Sequence, residues 1–400
     1  MTDRPAVEGG TPIRPKDRFL VFGAPAIGEA EIAGVVDSLR RRWIGTGPKA
    51  HQFEKAFAAY KGGAHAVAVG SCTAALHLSM LALGVGAGDE VITTTMTFCS
   101  TVNSIIHAGA TPVLADCDRE TMNITAATIA GKITPRTKAI LIVHFAGRSC
   151  EMDDIVGLAR SRGLLLIEDC AHAIETTYHG IPAGRFGDIG CFSFYVTKNI
   201  TTGEGGMVLT EDEQVANRIK MLALHGMSRD AWNRFSDAGY RHYEVVEVGF
   251  KYNMTDMQAA IGLEQIKRID TLWQRRAQVW RAYTEAFADL PCTLPPDPAP
   301  ETRHAYHLYT PRLDLARLSV SRDRILAALT AENIGVGVHY LPVHGHPYYQ
   351  RLFQGRNDVF PNADDIGART LSLPLSGDLD DQAVDDVCRA FRRLLTYYRA

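Results

Sequence analysis

Between about residue 65 and residue 210, short β-prone apolar runs alternate with stretches of helical spacing. HAVAVG leads into TAALHLSMLAL, EVITTTMTF into STVNSIIHAG, and AILIVHFAG into MDDIVGLARSRG, after which LLLIEDCAH follows. This alternation predicts an α/β fold with a mostly parallel sheet covered by helices on both faces. Ligands of such sheets bind outside the carboxyl ends of the strands, which directs attention to the segments that leave those ends.

Two further runs, GCFSFY and GGMVLT, are joined by a polar, glycine-rich loop that carries Lys198. A long helical pattern starts at Thr255, with Thr255 as N-cap and Gln258 as its capping-box partner, and runs to about Leu290. The proline-rich stretch PCTLPPDPAPETRH then interrupts any regular element. Beyond it, HAYHLYTPRLD (strand), SRDRILAALTAENIG (helix), VGVHY (strand) and a terminal helix ending CRAFRRLLTYY predict a smaller α/β unit. The expected division is a large domain over 1–290 and a small one over 291–400, in line with a chain of 400 residues that exceeds what one core usually serves.

Composition narrows the function. Lys and Arg total 42 against 45 Asp and Glu, a formal net charge of −3, which argues against a general nucleic-acid footprint. The eight cysteines (Cys72, Cys99, Cys117, Cys150, Cys170, Cys191, Cys292, Cys388) form no Cys-x-x-Cys pair and read as reduced and structural, and no metal site is expected. The amino terminus lacks a signal-peptide core and the longest apolar stretches fall far short of a membrane span, so the expected location is the cytoplasm.

Chemistry concentrates at the strand ends. Gly70-Ser71-Cys72-Thr73-Ala74-Ala75 follows a strand and opens a helix, a place where free N–H groups can hold a phosphate or where Ser and Thr simply cap the helix. The missing G-x-G-x-x-G counts against a dinucleotide site. Phe98 ends ITTTMTF and is either a wall for a planar ring or a core aromatic. Glu168 and Asp169 are adjacent on a strand, so only one of them addresses a given site, and Asp169 is the candidate. His172 either supports it or is a satisfied core histidine. Ser193 and Lys198 lie on the next strand and its loop, between the apolar CFSFY and Gly203-Glu204-Gly205-Gly206. An amine nucleophile paired with a carboxylate for a pyridinium nitrogen is what pyridoxal phosphate chemistry requires of a protein.

With these segments in place, the chain resembles the DegT/DnrJ/StrS family of pyridoxal-phosphate-dependent sugar aminotransferases over nearly its whole length. The resemblance rests on WIGTGP, GSCTAALH, TTTMTFCST, GATPVLADCD, IEDCAHA, SFYVTKN with GEGG, His225-Gly226, GFKYNMTDMQAAIG and GVGVHYLP, in that order. It implies the fold type I architecture, with a seven-stranded sheet. It also implies that Lys198 is the Schiff-base lysine, Asp169 the partner of the pyridine nitrogen and Phe98 the stacking aromatic. Cys72, Thr73 and Ser193 match phosphate-cup positions, His172 and His339 match positions near the ring and the substrate, and Arg229 is a candidate for an anionic substrate group. Asn253 is similar to an asparagine that reaches the phosphate in the neighbouring subunit, which implies a homodimer with shared sites.

The activity so implied is amino transfer from L-glutamate, yielding 2-oxoglutarate, to a nucleotide-linked keto sugar, with a dTDP-4-keto-6-deoxyhexose expected. The alternatives are a 3-keto sugar or keto-cyclitol acceptor and, from another class, a cofactor-bound regulatory protein or a nicotinamide-dependent sugar enzyme. Lys198 argues against the sugar-dehydrating relatives, which carry histidine there. The segment HFAGRSCEMDDI departs from the pattern, with Arg148 and Cys150 in place of the usual proline and alanine.

Overall fold

The computed structural model describes residues 4–228 and 243–400. Its central sheet has seven strands, and in chain order these are β1 (His65–Val69), β2 (Glu90–Thr94), β3 (Thr111–Ala115), β4 (Thr137–Val143) and β5 (Leu165–Asp169). Two-residue strands β6 (Thr177–Tyr178) and β7 (Ile181–Pro182) form a separate ladder with Thr302–Arg303, and β8 (Ile189–Ser193) and β9 (Gly206–Thr210) complete the large sheet. The spatial order is β1-β9-β8-β5-β4-β2-β3. All pairings are parallel except those of β9, which is antiparallel to both β8 and β1. Every other strand therefore runs the same way, and the carboxyl ends of β1, β2, β4, β5 and β8 meet the amino end of β9 along one edge.

Helices α1 (Glu29–Arg40), α2 (Pro48–Lys61), α3 (Cys72–Ala82), α4 (Cys99–His107), α5 (Ala126–Ala130), α6 (Met152–Arg162) and α7 (Glu213–Ala223) surround the sheet. Alternation along each strand divides the core. Val67, Val69, Val91, Leu141, Ile167 and Val208 face α3 and α7. Their neighbours in sequence face the other way, with Ala66, Ala68, Met207 and Leu209 against Phe53 and Phe57 of α2, and Ile92, Ile140 and Leu166 against Ile155 of α6. Both faces are thus apolar and both are covered, as the near-continuous apolar runs predict.

The pattern starting at Thr255 is two helices, Asp256–Lys267 and Ile269–Phe287, divided at Arg268. Thr255 and Gln258 form the expected capping box, and at the break the Arg268 guanidinium is drawn aside to Glu31, with Nε 2.9 Å from Oε1. The runs read as strands at HAYHLYTPRLD and VGVHY are mostly irregular. Tyr306 has a positive φ and Pro311 lacks an N–H, which leaves Arg312–Leu313 and single bridges Tyr309↔Leu373 and Gly337↔Ser372. The C-terminal core gathers Leu371, Leu373, Val387, Phe391 and Leu394 around Trp280, Tyr283 and Phe287 of the long helix. No helix among the described residues is long and apolar enough to cross a membrane.

Candidate active site

Strand β5 ends on two carboxylates that part company, as strand alternation requires. Glu168 turns into a closed nest. It accepts N–H groups from Gly184 (2.7 Å), Phe186 (2.7 Å) and Gly187 (2.9 Å), and His144 Nε2 lies 3.0 Å away. His144 Nδ1 accepts the Cys150 N–H, so its proton sits on Nε2 and is donated to Glu168. Burial alone would raise the Glu168 carboxyl, but His144 and the backbone donors hold it below its ordinary value. Asp169, 4% exposed, faces the opposite side at the carboxyl edge. Its Oδ1 accepts the Ala171 N–H (3.0 Å) and its Oδ2 the Thr101 hydroxyl (2.9 Å), which leaves Thr97 as donor to Thr101 at 2.7 Å. Burial pushes Asp169 up, opposed by these donors and by the charge of Lys198.

Lys198 follows β8 in a turn whose N–H bonds to Tyr195 O at 2.9 Å. Burial lowers its amine to about 8, against the opposing influence of Cys72 and Asp169, so about a tenth of the amine is neutral at pH 7, far more than for an ordinary lysine. The same amine bears on His172, His307 and His339. Burial drives His172 and His307 well below the usual imidazole range and His339 to about 3, and the Lys198 charge adds to each shift. All three rings are neutral at physiological pH. His172 Nδ1 accepts the Ala146 N–H at 3.2 Å, which places its proton on Nε2, 3.1 Å from the Tyr340 hydroxyl. His339 Nδ1 lies 2.7 Å from Ser372 Oγ, and its ring stacks on Phe22.

The remaining cradle is made by backbone. Ser193 pairs with Gly206, which also pairs with Val69, so β9 presses against the start of α3. A Cβ on Gly206 would lie 2.5 Å from the Ser71 carbonyl and 2.7 Å from Cys72 N. Ser71 caps α3 by accepting the Ala74 N–H at 3.1 Å, and among the described residues the Cys72 and Thr73 N–H groups have no acceptor. Phe98 is 57% exposed, a large ring left uncovered 6.1 Å from Tyr340. An uncommitted helix N-terminus, an open aromatic face, a buried carboxylate and a near-neutral amine along one edge fit pyridoxal phosphate: phosphate, ring, ring nitrogen and aldehyde each have a partner of the right chemistry.

Of the residues singled out in the sequence, Cys72, Thr73, Phe98, Asp169, His172, Ser193, Lys198 and His339 come together here. Asn253 is held apart: its backbone bridges Val69 while its amide donates to Thr46 Oγ1 at 2.5 Å, on the wall of a cavity of about 580 Å³ that His51, Arg218 and Lys220 also line. Arg229 lies outside the described residues. Arg148 reaches away to the proline-rich connection, bonding Asp297 O at 2.8 Å and Pro296 O, and thereby tethers that connection. Sequence reasoning missed Thr101, Tyr340 and His307. Thr97 and Thr101 stand one helical turn apart in the quoted TTTMTFCST, and Tyr340 adjoins His339, but His307 had no signal beyond being one of two histidines in an apolar run.

A sheet of this order, with a lysine loop at its carboxyl edge, is that of a fold type I pyridoxal-phosphate-dependent aminotransferase. The chain belongs to the DegT/DnrJ/EryC1/StrS aminotransferase family, which its residues 25–392 match. It is 49% identical over 384 residues to the spore coat polysaccharide biosynthesis protein SpsC of Bacillus subtilis, covering 96% of this chain and 99% of SpsC. The PLP-form of Spr1654 from Streptococcus pneumoniae superposes with a TM-score of 0.88 at 31% identity, covering 95% of this chain and 100% of that one. DesI, solved in the presence of its TDP-sugar product, superposes with a TM-score of 0.86 at 30% identity, covering 99% and 96%. The protein is a sugar aminotransferase that uses pyridoxal phosphate.

Proposed function

We propose that the protein transfers the amino group of L-glutamate to the keto carbon of a nucleotide-linked sugar, a dTDP-4-keto-6-deoxyhexose, giving a dTDP-4-amino-4,6-dideoxyhexose. The observation that carries the amino-transfer part of this reading is the placement of the Lys198 amine beside the buried Asp169 carboxylate and the start of α3 at the carboxyl edge of the sheet. The TDP-sugar product of DesI, at 30% identity, and the polysaccharide role of SpsC support the nucleotide-sugar class.

Bound pyridoxal phosphate supplies an electron sink for the C–H bond broken in the amino donor and carries the amino group between the two substrates. At rest, Lys198 would hold it through its amine. Asp169, fixed by Thr101 and Ala171, would pair with the ring nitrogen and keep it protonated. Phe98 would cover a ring face, His172 would support a ring substituent, and the Cys72 and Thr73 N–H groups with Ser193 would hold the phosphate. Once freed, the neutral Lys198 amine takes the α-proton of glutamate. In the second half it delivers a proton to the sugar carbon from one face, which sets the stereochemistry. Such a placed base is worth about 100- to 10,000-fold in rate. His339 offers a neutral hydrogen-bonding ring to the substrate, and Arg229 serves an anionic substrate group.

The active unit in this reading is a homodimer in which Asn253 reaches the partner's phosphate. The exposed apolar side chains of Trp43, Ile44, Val245, Val246 and Val248 supply surface for that contact. The chain divides into a large unit over 1–290 and a small one over 291–400, with the long helix Ile269–Phe287 lending its second half to the small unit's core. A panel of dTDP- and UDP-linked 3-keto and 4-keto sugars and keto-cyclitols, incubated with glutamate and read by NMR, tests the assignment. Amination at carbon 4 of the dTDP sugar is expected; amination confined to carbon 3 or to a cyclitol contradicts it.

A further inference from the structure

Next to Lys198 runs a buried chain of polar side chains drawn from four separate segments. Arg276, on the long helix, pairs with Glu175, and neither is appreciably exposed. Glu175 Oε2 accepts from Asn199 Nδ2 at 2.6 Å, and the same amide nitrogen donates to Ala305 O at 2.9 Å. Both contacts demand a donor, so the Asn199 amide orientation is fixed and its Oδ1 is an acceptor. His307 Nδ1 lies 2.8 Å from that oxygen and must carry the proton. The His307 ring stands 4.3 Å from the His172 ring, tilted by 34°. Its backbone N–H donates to Ala146 O at 3.1 Å, on the residue whose own N–H fixes the His172 tautomer. One side of the chain is therefore the residue after Lys198, and the other is the ring that lies against the cofactor site.

We propose that His307 is a positioning residue for amino transfer: its Nδ1–H holds Asn199, which also contacts Glu175 and Arg276, and so fixes the residue after Lys198 while its ring backs His172. The inference rests on Lys198 being the reactive amine. Neutral imidazole suits the task, because it donates to Asn199 without adding a charge beside the lysine. The buried ion pair supplies a rigid acceptor at the far end, and breaking it would leave an unpaired buried charge, so the informative changes lie at positions 307 and 199.

The test compares three replacements in the cofactor-loaded enzyme. His307→Asn places its amide nitrogen where Nδ1 stood, His307→Gln places it where Nε2 stood, and His307→Phe keeps only the ring. The expected result is kcat within about 3-fold of wild type for His307→Asn and a loss of about 100-fold for Gln and Phe, the scale of a reacting group displaced by about 1 Å, with KM for glutamate little changed. Asn199→Ser removes the acceptor of His307 along with the donors to Glu175 and Ala305, so the double variant Asn199→Ser/His307→Phe should be no slower than the worse single variant. Unchanged kcat in His307→Phe overturns the proposal. So does rescue by Gln in place of Asn, which would make Nε2 the working atom, and so do losses that multiply in the double variant. Should His307→Phe not fold, His307→Gln against His307→Asn carries the same comparison. Peptide mapping of the borohydride-reduced wild type stands apart: a pyridoxyl group missing from Lys198 sinks the lysine assignment and leaves the hydrogen-bond link to be judged on the variants.

Discussion

Lys61 and Lys198 are both lowered to about 8 by burial, and what separates them is their surroundings. The Lys61 amine donates to Ile174 O at 2.9 Å and sits 5.0 Å over the Phe192 ring, enclosed in the core beneath the sheet. Lys198 opens on the carboxyl edge, where Asp169, Phe98 and the start of α3 converge. Only neutral amine attacks an aldehyde, so covalent capture of pyridoxal phosphate by unloaded protein should accelerate with pH and level off above about 8. A stopped-flow pH series checks this; a midpoint near the ordinary lysine value of about 10.4 contradicts it. Glu168 bears on stability instead. Its carboxyl is held below the ordinary value, so its contribution is complete above the unfolded carboxylate pKa and fades as pH falls through the folded one. Glu168→Gln turns a donor toward the N–H groups of the nest and should cost about 3 kcal/mol at neutral pH, with a deficit that shrinks in acid. Denaturant titration at two pH values reads it.

Elements, rather than single side chains, make the phosphate cradle. Reversal of β9 brings Gly206 to the carboxyl edge between Val69 and Ser193, and the absence of a side chain lets it touch the start of α3. Gly206→Ala should force β9 and α3 apart and weaken cofactor binding by about 10-fold or more, the effect of overpacking a close contact, as read by fluorescence titration of unloaded protein. Strands and helices of the large sheet were legible because each strand is apolar on both faces and each begins or ends at a turn signal. Asp169 and Lys198 were legible because they interrupt apolar runs at the positions where such sheets bind ligands. The C-terminal segments were harder. HAYHLYTPRLD has the composition of a strand, yet His304, Tyr306 and His307 serve ring contacts and hydrogen bonds that local periodicity does not encode. The reversal of β9 was equally invisible, since an antiparallel and a parallel partner leave the same apolar pattern in a strand buried on both faces.

Across the whole molecule, the proposed dimer would draw on Asn253, which bonds Thr46 within its own chain, and on the exposed apolar side chains of Trp43, Ile44, Val245, Val246 and Val248. If Asn253 serves the partner's site, Lys198→Ala and Asn253→Ala chains, each weak or inactive alone, should regain activity when unfolded and refolded together, because a mixed dimer holds one intact site. No gain on mixing, with a dimer confirmed by sedimentation, would return Asn253 to its own chain. The resemblance read from ordered motifs carried this expectation; no single residue did, since an interface leaves no periodic mark on one strand or helix. The chemistry of the whole site turns on Lys198 being the lysine that binds the cofactor. Borohydride reduction of the loaded protein followed by peptide mapping should place one pyridoxyl group on Lys198 and none after Lys198→Ala. A pyridoxyl group found instead on Lys61, or one that survives Lys198→Ala with full activity, would contradict it.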